Sequence, residues 1–143
     1  METGSIESCG AFIYCKTTHR YLFLLRSPHK TQHSWGLVGG KLEKNESVVE
    51  ALNREIREEL GGEIVDAKLR PIEKFTSENQ KFHYHTFMIV VDQEFVPALN
   101  HEHVGFCWVP LENYPRPLHP GVWRTFKFDA VINKIKTVEK LVK

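Results

Sequence analysis

Between Gly40 and Gly62 the sequence runs GKLEKNESVVEALNREIREELGG, and this stretch narrows what the chain can become more than any other. Ser47 followed three residues on by Glu50 is a capping box, in which the hydroxyl satisfies an orphan amide and the carboxylate reaches back to the cap. Gly61 supplies the stop, because glycine tolerates the left-handed conformation that ends many helices. Between these limits Val49, Leu52, Ile56 and Leu60 recur at three- and four-residue intervals, which predicts a helix with one apolar face laid on a sheet.

The same periodicity places Glu55, Glu58 and Glu59 on one side, with Arg54 four residues before Glu58. Crowded carboxylates repel one another unless cations neutralise them, and a single arginine does not suffice. A divalent cation would, and oxygen ligands suit hard ions. Magnesium, with manganese as a substitute, binds through a few carboxylates together with substrate phosphates.

Written as G-x5-E-x7-R-E-U-x-E-E-x-G-U, with U a bulky aliphatic residue, the pattern falls on Gly40, Glu46, Arg54, Glu55, Ile56, Glu58, Glu59 and Gly61. In this the chain resembles the Nudix hydrolases. It departs at Gly62, where an aliphatic residue is usual, and at Val38, often proline in the family; neither change removes a carboxylate. The resemblance implies an α/β fold, an α/β/α sandwich with a mixed β-sheet between helices, formed by one domain over residues 1–143. It implies a magnesium-dependent pyrophosphohydrolase that cleaves a nucleoside diphosphate linked to another moiety, giving a nucleoside monophosphate and a phosphorylated product.

By the same resemblance Glu58, Glu59 and the Gly39 carbonyl hold metal, Glu55 is a further ligand or the base, and Arg54 orients a carboxylate with Glu46 as partner. Glu102, in the loop before Trp108, completes the metal site or serves as base. His101 or His103 is the alternative base, as in the branch that attacks sugar carbon in nucleotide sugars, but the complete box favours attack at phosphorus. Arg26 stands where the family often carries an arginine near substrate, or is a charge ending a strand. Trp35, Phe82 and Tyr84 could stack on a base or belong to the core. A non-catalytic nucleotide or RNA sensor is the reading from another class; such proteins generally lose box carboxylates.

Length and composition set the frame. The chain has 143 residues, 41% hydrophobic and 26% charged, which suits a single globular domain, and no stretch is apolar enough to span a membrane. METGSIESCG lacks a basic segment followed by an apolar one, so no secretory signal is expected. Cys9, Cys15 and Cys107 lack metal-ligand spacing and read as reduced thiols, which points to the cytoplasm. A net charge of +1 argues against strong nucleic-acid binding and leaves a small nucleotide as the partner, for a monomer or homodimer.

Elsewhere, Gly10–Lys16 and Arg20–Arg26 read as a hairpin, its second strand apolar on both faces. Ser27–Ser34 reads as a loop whose His29, Lys30 and His33 could approach phosphates. Ile64–Ile72 with Phe75 and Thr76 suggests a strand interrupted at Pro71, hence an edge or bulge. Lys81–Asp92 alternates as a strand, with His83 and His85 on one face. Asn100–Pro110 reads as a loop entering a short strand, and Tyr114–Gly121 as a connection. Phe128, Val131, Ile135, Val138 and Val142 predict a closing helix.

Overall fold

The computed structural model describes residues 4–28 and 33–143, so His29 and Lys30 lie outside the described residues. The hairpin forms from β1 (Ile6–Cys15) and β2 (Arg20–Arg26), with Tyr14 opposite Tyr21. β1 starts earlier than its apolar run because its first half is paired on both sides. β4 (Val38–Lys41) lies antiparallel to it and β6 (Phe82–Val91) parallel. β3 (Trp35–Gly36) and β7 (His103–Val109) flank β2, and β5 (Arg70–Thr76) edges the sheet beside β6. The sheet is therefore mixed, ordered β3-β2-β1-β6-β5, with β4 beside β1 and β7 beside β2.

Alternation along the strands builds a core on each face. Cys9, Ala11, Ile13, Leu22 and Leu24 pack with Leu52 and Ile56 of α1 (Val48–Leu60). Phe12, Tyr14, Tyr21 and Phe23 pack with Val122 of α2 (Pro120–Phe126) and Ile135 of α3 (Asp129–Leu141). Each fully buried aliphatic or aromatic side chain contributes about 1.5–3 kcal/mol. The result is the expected sandwich, and no helix among the described residues is long and apolar enough to cross a membrane.

Four details depart from the sequence reading. In α1 the buried stripe is Ala51, Leu52, Glu55, Ile56, Glu59 and Leu60, while Val49 is 47% exposed. The helix is rotated so that two carboxylates, not that valine, turn inward. β5 begins at Arg70 rather than Ile64, whose side chain instead joins the edge of the α1-side core. Pro71 does mark an edge strand and a bulge, with the register shifting between Pro71 and Glu73. Finally, Pro120 opens α2 rather than ending a connection, and Phe128 caps α3 at 45% exposure instead of joining its buried face.

Candidate active site

Local sequence fixes the acidic helix. Glu50 N donates to Ser47 Oγ (3.1 Å) and Ser47 N to Glu50 Oε1 (2.9 Å), while Gly61 closes the helix at φ 83°. Arg54 then organises the polar side. It grips Glu46 through Nε (2.7 Å) and Nη2 (3.0 Å), and its Nη1 reaches Glu55 (3.2 Å) and Glu58 (3.3 Å). The Arg54 guanidinium, helped by the Glu43 amide, holds the Glu46 carboxyl down to about 2. Glu46 is thus the partner expected for Arg54.

Glu55 and Glu59 are 8% and 2% exposed and face the backbone of Gly39 and Gly40. Gly39 N donates to Glu59 Oε1 (3.0 Å), and a Cβ at Gly40 would collide with the Glu55 carboxylate. Gly39 has φ 150°, and a Cβ there would strike the Cys9 carbonyl. Burial pushes both carboxyls upward, and for Glu59 the neighbouring Glu55 and Glu102 charges add to the effect. The two carboxyls lie in hydrogen-bonding contact, so the protonation of one is linked to that of the other.

Glu102 reaches this corner through its loop. Ala98 N donates to Leu60 O (3.0 Å), Asn100 Nδ2 to Glu58 O (2.9 Å), and Glu102 N to Asn100 Oδ1 (2.9 Å). Glu58 itself is exposed and tied to Arg54. Among the described residues no three His, Cys, Asp or Glu side chains already converge on one metal position.

On the other side of the glycines lies a cavity of about 300 Å³. Gly39, Gly40 and Lys41 line it from β4 and Glu73, Phe75 and Phe82 from the β5–β6 end of the sheet, with His119, Arg124 and Phe128 contributed from α2 and its flanks. Arg26 and Tyr84 line it as well. The Arg26 Nε is buried with no hydrogen-bond partner among the described residues. The Tyr84 hydroxyl occupies the space a side chain at Gly10 would need, and burial pushes its pKa up.

The remaining candidates lie elsewhere. Trp35 is not part of the cavity wall: it packs against the α3-side core, and its backbone bonds Pro117 O (2.9 Å) and His119 N (2.7 Å). His103 is buried on β7 opposite Arg26 and is also absent from the wall, while His101 is exposed. His83 and His85 have separate partners, Thr76 Oγ1 (3.1 Å) and Glu7 Oε1 (2.7 Å). Sequence reasoning missed Glu73, Phe75, His119, Arg124 and Phe128. A proline at the first position of α2 was a signal for three of them; the bulge that aims Glu73 left none.

The NUDIX domain family profile matches residues 7–129. The chain belongs to the Nudix hydrolase family, enzymes that act on phosphoanhydride bonds. It is 28% identical over 120 residues to the nucleoside triphosphatase NudI of Salmonella arizonae, covering 76% of this chain and 79% of that protein. Among solved structures it is similar to the MutT protein from Methanosarcina mazei Go1, with TM-score 0.68 and 26% identity, covering 96% of this chain and 97% of that one. The MutT NUDIX hydrolase from Burkholderia pseudomallei aligns with TM-score 0.64 and 26% identity, over 91% and 97% of the two chains.

Proposed function

We propose that this protein is a magnesium-dependent nucleotide pyrophosphohydrolase, acting on a nucleoside triphosphate or another nucleoside diphosphate derivative such as ADP-ribose or a dinucleoside polyphosphate. One observation carries this reading: the Gly39–Gly40 backbone is at once the end wall of the cavity and the surface against which Glu55 and Glu59 rest. A nucleoside in the cavity would thus place its phosphates beside the carboxylates. The NudI relative's name, nucleoside triphosphatase, puts triphosphates first among the candidates.

The donor set fits a hard divalent cation. Glu55, Glu58, Glu59, Glu102 and the Gly39 carbonyl offer only oxygen, and among the described residues Arg54 is the cation that pairs with the buried Glu55–Glu59 pair. Bound there, magnesium or manganese would neutralise the diphosphate and acidify a water. Arg54 holds Glu55 and Glu58 in place and is itself fixed by Glu46. Glu55, which lies against Gly40, would take the proton as the water oxygen bonds to phosphorus and the bridging P–O bond breaks. His103 lies outside the cavity wall, which supports attack at phosphorus over attack at sugar carbon. Free thiols at Cys9, Cys15 and Cys107 suit a reducing compartment such as the cytoplasm.

The test is a product assay with magnesium, then manganese, over nucleoside triphosphates, ADP-ribose, diadenosine polyphosphates and nucleotide sugars. Wild type is expected to release a nucleoside monophosphate. Glu58→Gln, which keeps volume and loses charge, should be slower by about 10²–10³-fold. A folded Glu58→Gln protein with wild-type rates would refute the carboxylate assignment. Binding without turnover in either metal would make the protein a sensor.

A further inference from the structure

Sheet registers align the two ends of the cavity. Glu73 pairs with Thr86, Thr86 with Gly10, and Gly10 with Gly39, so one row crosses β5, β6, β1 and β4 from Glu73 to the carboxylate corner. Three strand spacings separate its ends, roughly 14 Å. In the adjacent row Phe75 pairs with Tyr84, and both line the cavity. Phosphates held at Gly39 therefore leave the aromatic end, and Glu73 with it, to the base.

Glu73 is half-buried on that wall, and no hydrogen bond or ion pair engages its carboxylate among the described residues. Burial raises its pKa. Arg124, on the same wall, lies instead over the Phe75 ring, 5.1 Å from its centroid. Across the strand the Thr86 hydroxyl is buried and also lacks a partner among the described residues. A desolvated carboxylate left unpaired is costly, and a ligand donating to it recovers that cost.

A carboxylate accepts through two oxygens and donates nothing, so it fits a ring edge that presents two adjacent N–H donors. The edges of adenine and cytosine set a ring-nitrogen lone pair beside the amine, and uracil flanks its one N–H with carbonyls; each opposes the carboxylate. A 2-amino-4-oxopyrimidine edge, carried by guanine and by pterins, offers both donors. We propose that Glu73 selects the substrate by binding the paired N–H donors of a 2-amino-4-oxopyrimidine ring stacked among Phe75, Phe82 and Tyr84. This rests on the hydrolase reading above and specifies its substrate class.

The experiment compares kcat/KM for GTP, ITP, ATP, CTP, UTP and a pterin triphosphate, with calorimetric binding of GMP, IMP and AMP as a readout independent of turnover. GTP or the pterin compound should lead, and whichever leads identifies the source of the ring. ITP, which lacks the amino group, should fall about tenfold or more below GTP. Glu73→Gln should erase the guanine advantage, lowering the GTP-to-ATP ratio of kcat/KM by about 10- to 100-fold. Equal wild-type use of ATP and GTP, or a Gln variant with unchanged selectivity, overturns the assignment. If Glu73→Gln does not fold, the wild-type GTP and ITP comparison decides alone. Selective GMP binding without turnover of any substrate would uphold Glu73 and defeat the hydrolase reading instead.

Discussion

At the scale of single residues, Glu59 is more deeply buried than the neighbouring Glu55. Its carboxyl is 2% exposed, takes a hydrogen bond from Gly39 N, and is raised above its ordinary value of 4.5 by burial and by its acidic neighbours. Below that value folded and unfolded chains both hold the proton, and its contribution to stability is fully present. As pH rises, the unfolded chain releases the proton while the folded one retains it, so stability is lost toward alkaline pH. The urea midpoint of metal-free protein should therefore fall between about pH 5 and pH 8, with Glu59→Gln or added magnesium flattening the decline. A flat profile for metal-free wild type would mean that Glu59 is not held protonated. Residues of this corner were legible in the sequence because their spacing in one helix already implies their neighbours. Glu73 was not, since its place comes from the bulge beside Pro71 and from a row that runs on through β6 and β1 to β4.

At the scale of elements, α1 was the most readable because its signals are local. Ser47, Glu50 and Gly61 act within a turn of themselves, and each takes the role its position implied. Ser47→Ala should cost about 1 kcal/mol, measured by urea unfolding, and should raise the amide exchange rates of the first turn before those of the sheet. Loss spread evenly over the chain would show that the cap does not govern that turn. What the local signals could not give was the roll of the helix about its axis. Apolar spacing alone includes Val49, but the glycine corner of β4 draws Glu55 and Glu59 inward and leaves Val49 in solvent. β5 and α2 were misread for a related reason: a bulge opposite β6 and a seven-residue helix carry too little periodicity to declare their bounds.

For the molecule as a whole, a sheet covered on both faces could be inferred from a second strand apolar on both sides, and the two cores follow from it. They carry different duties. The α3-side core lies behind the cavity, and Ile135, fully buried there, is not part of the wall. Ile135→Ala should lower stability by about 2–5 kcal/mol through the space it leaves, with turnover unchanged at temperatures where the variant is folded. A fall in kcat without a fall in melting temperature would contradict that division. The row from Glu73 to Gly39 extends the division to ancestry. On the proposed reading, cutting would fall to α1, which carries the acidic cluster, and base reading to an edge strand and a short helix at the far side of the sheet. Descendants of such a chain can drift toward a new nucleotide by changes at the far side alone, inheriting intact the apparatus that breaks the bond.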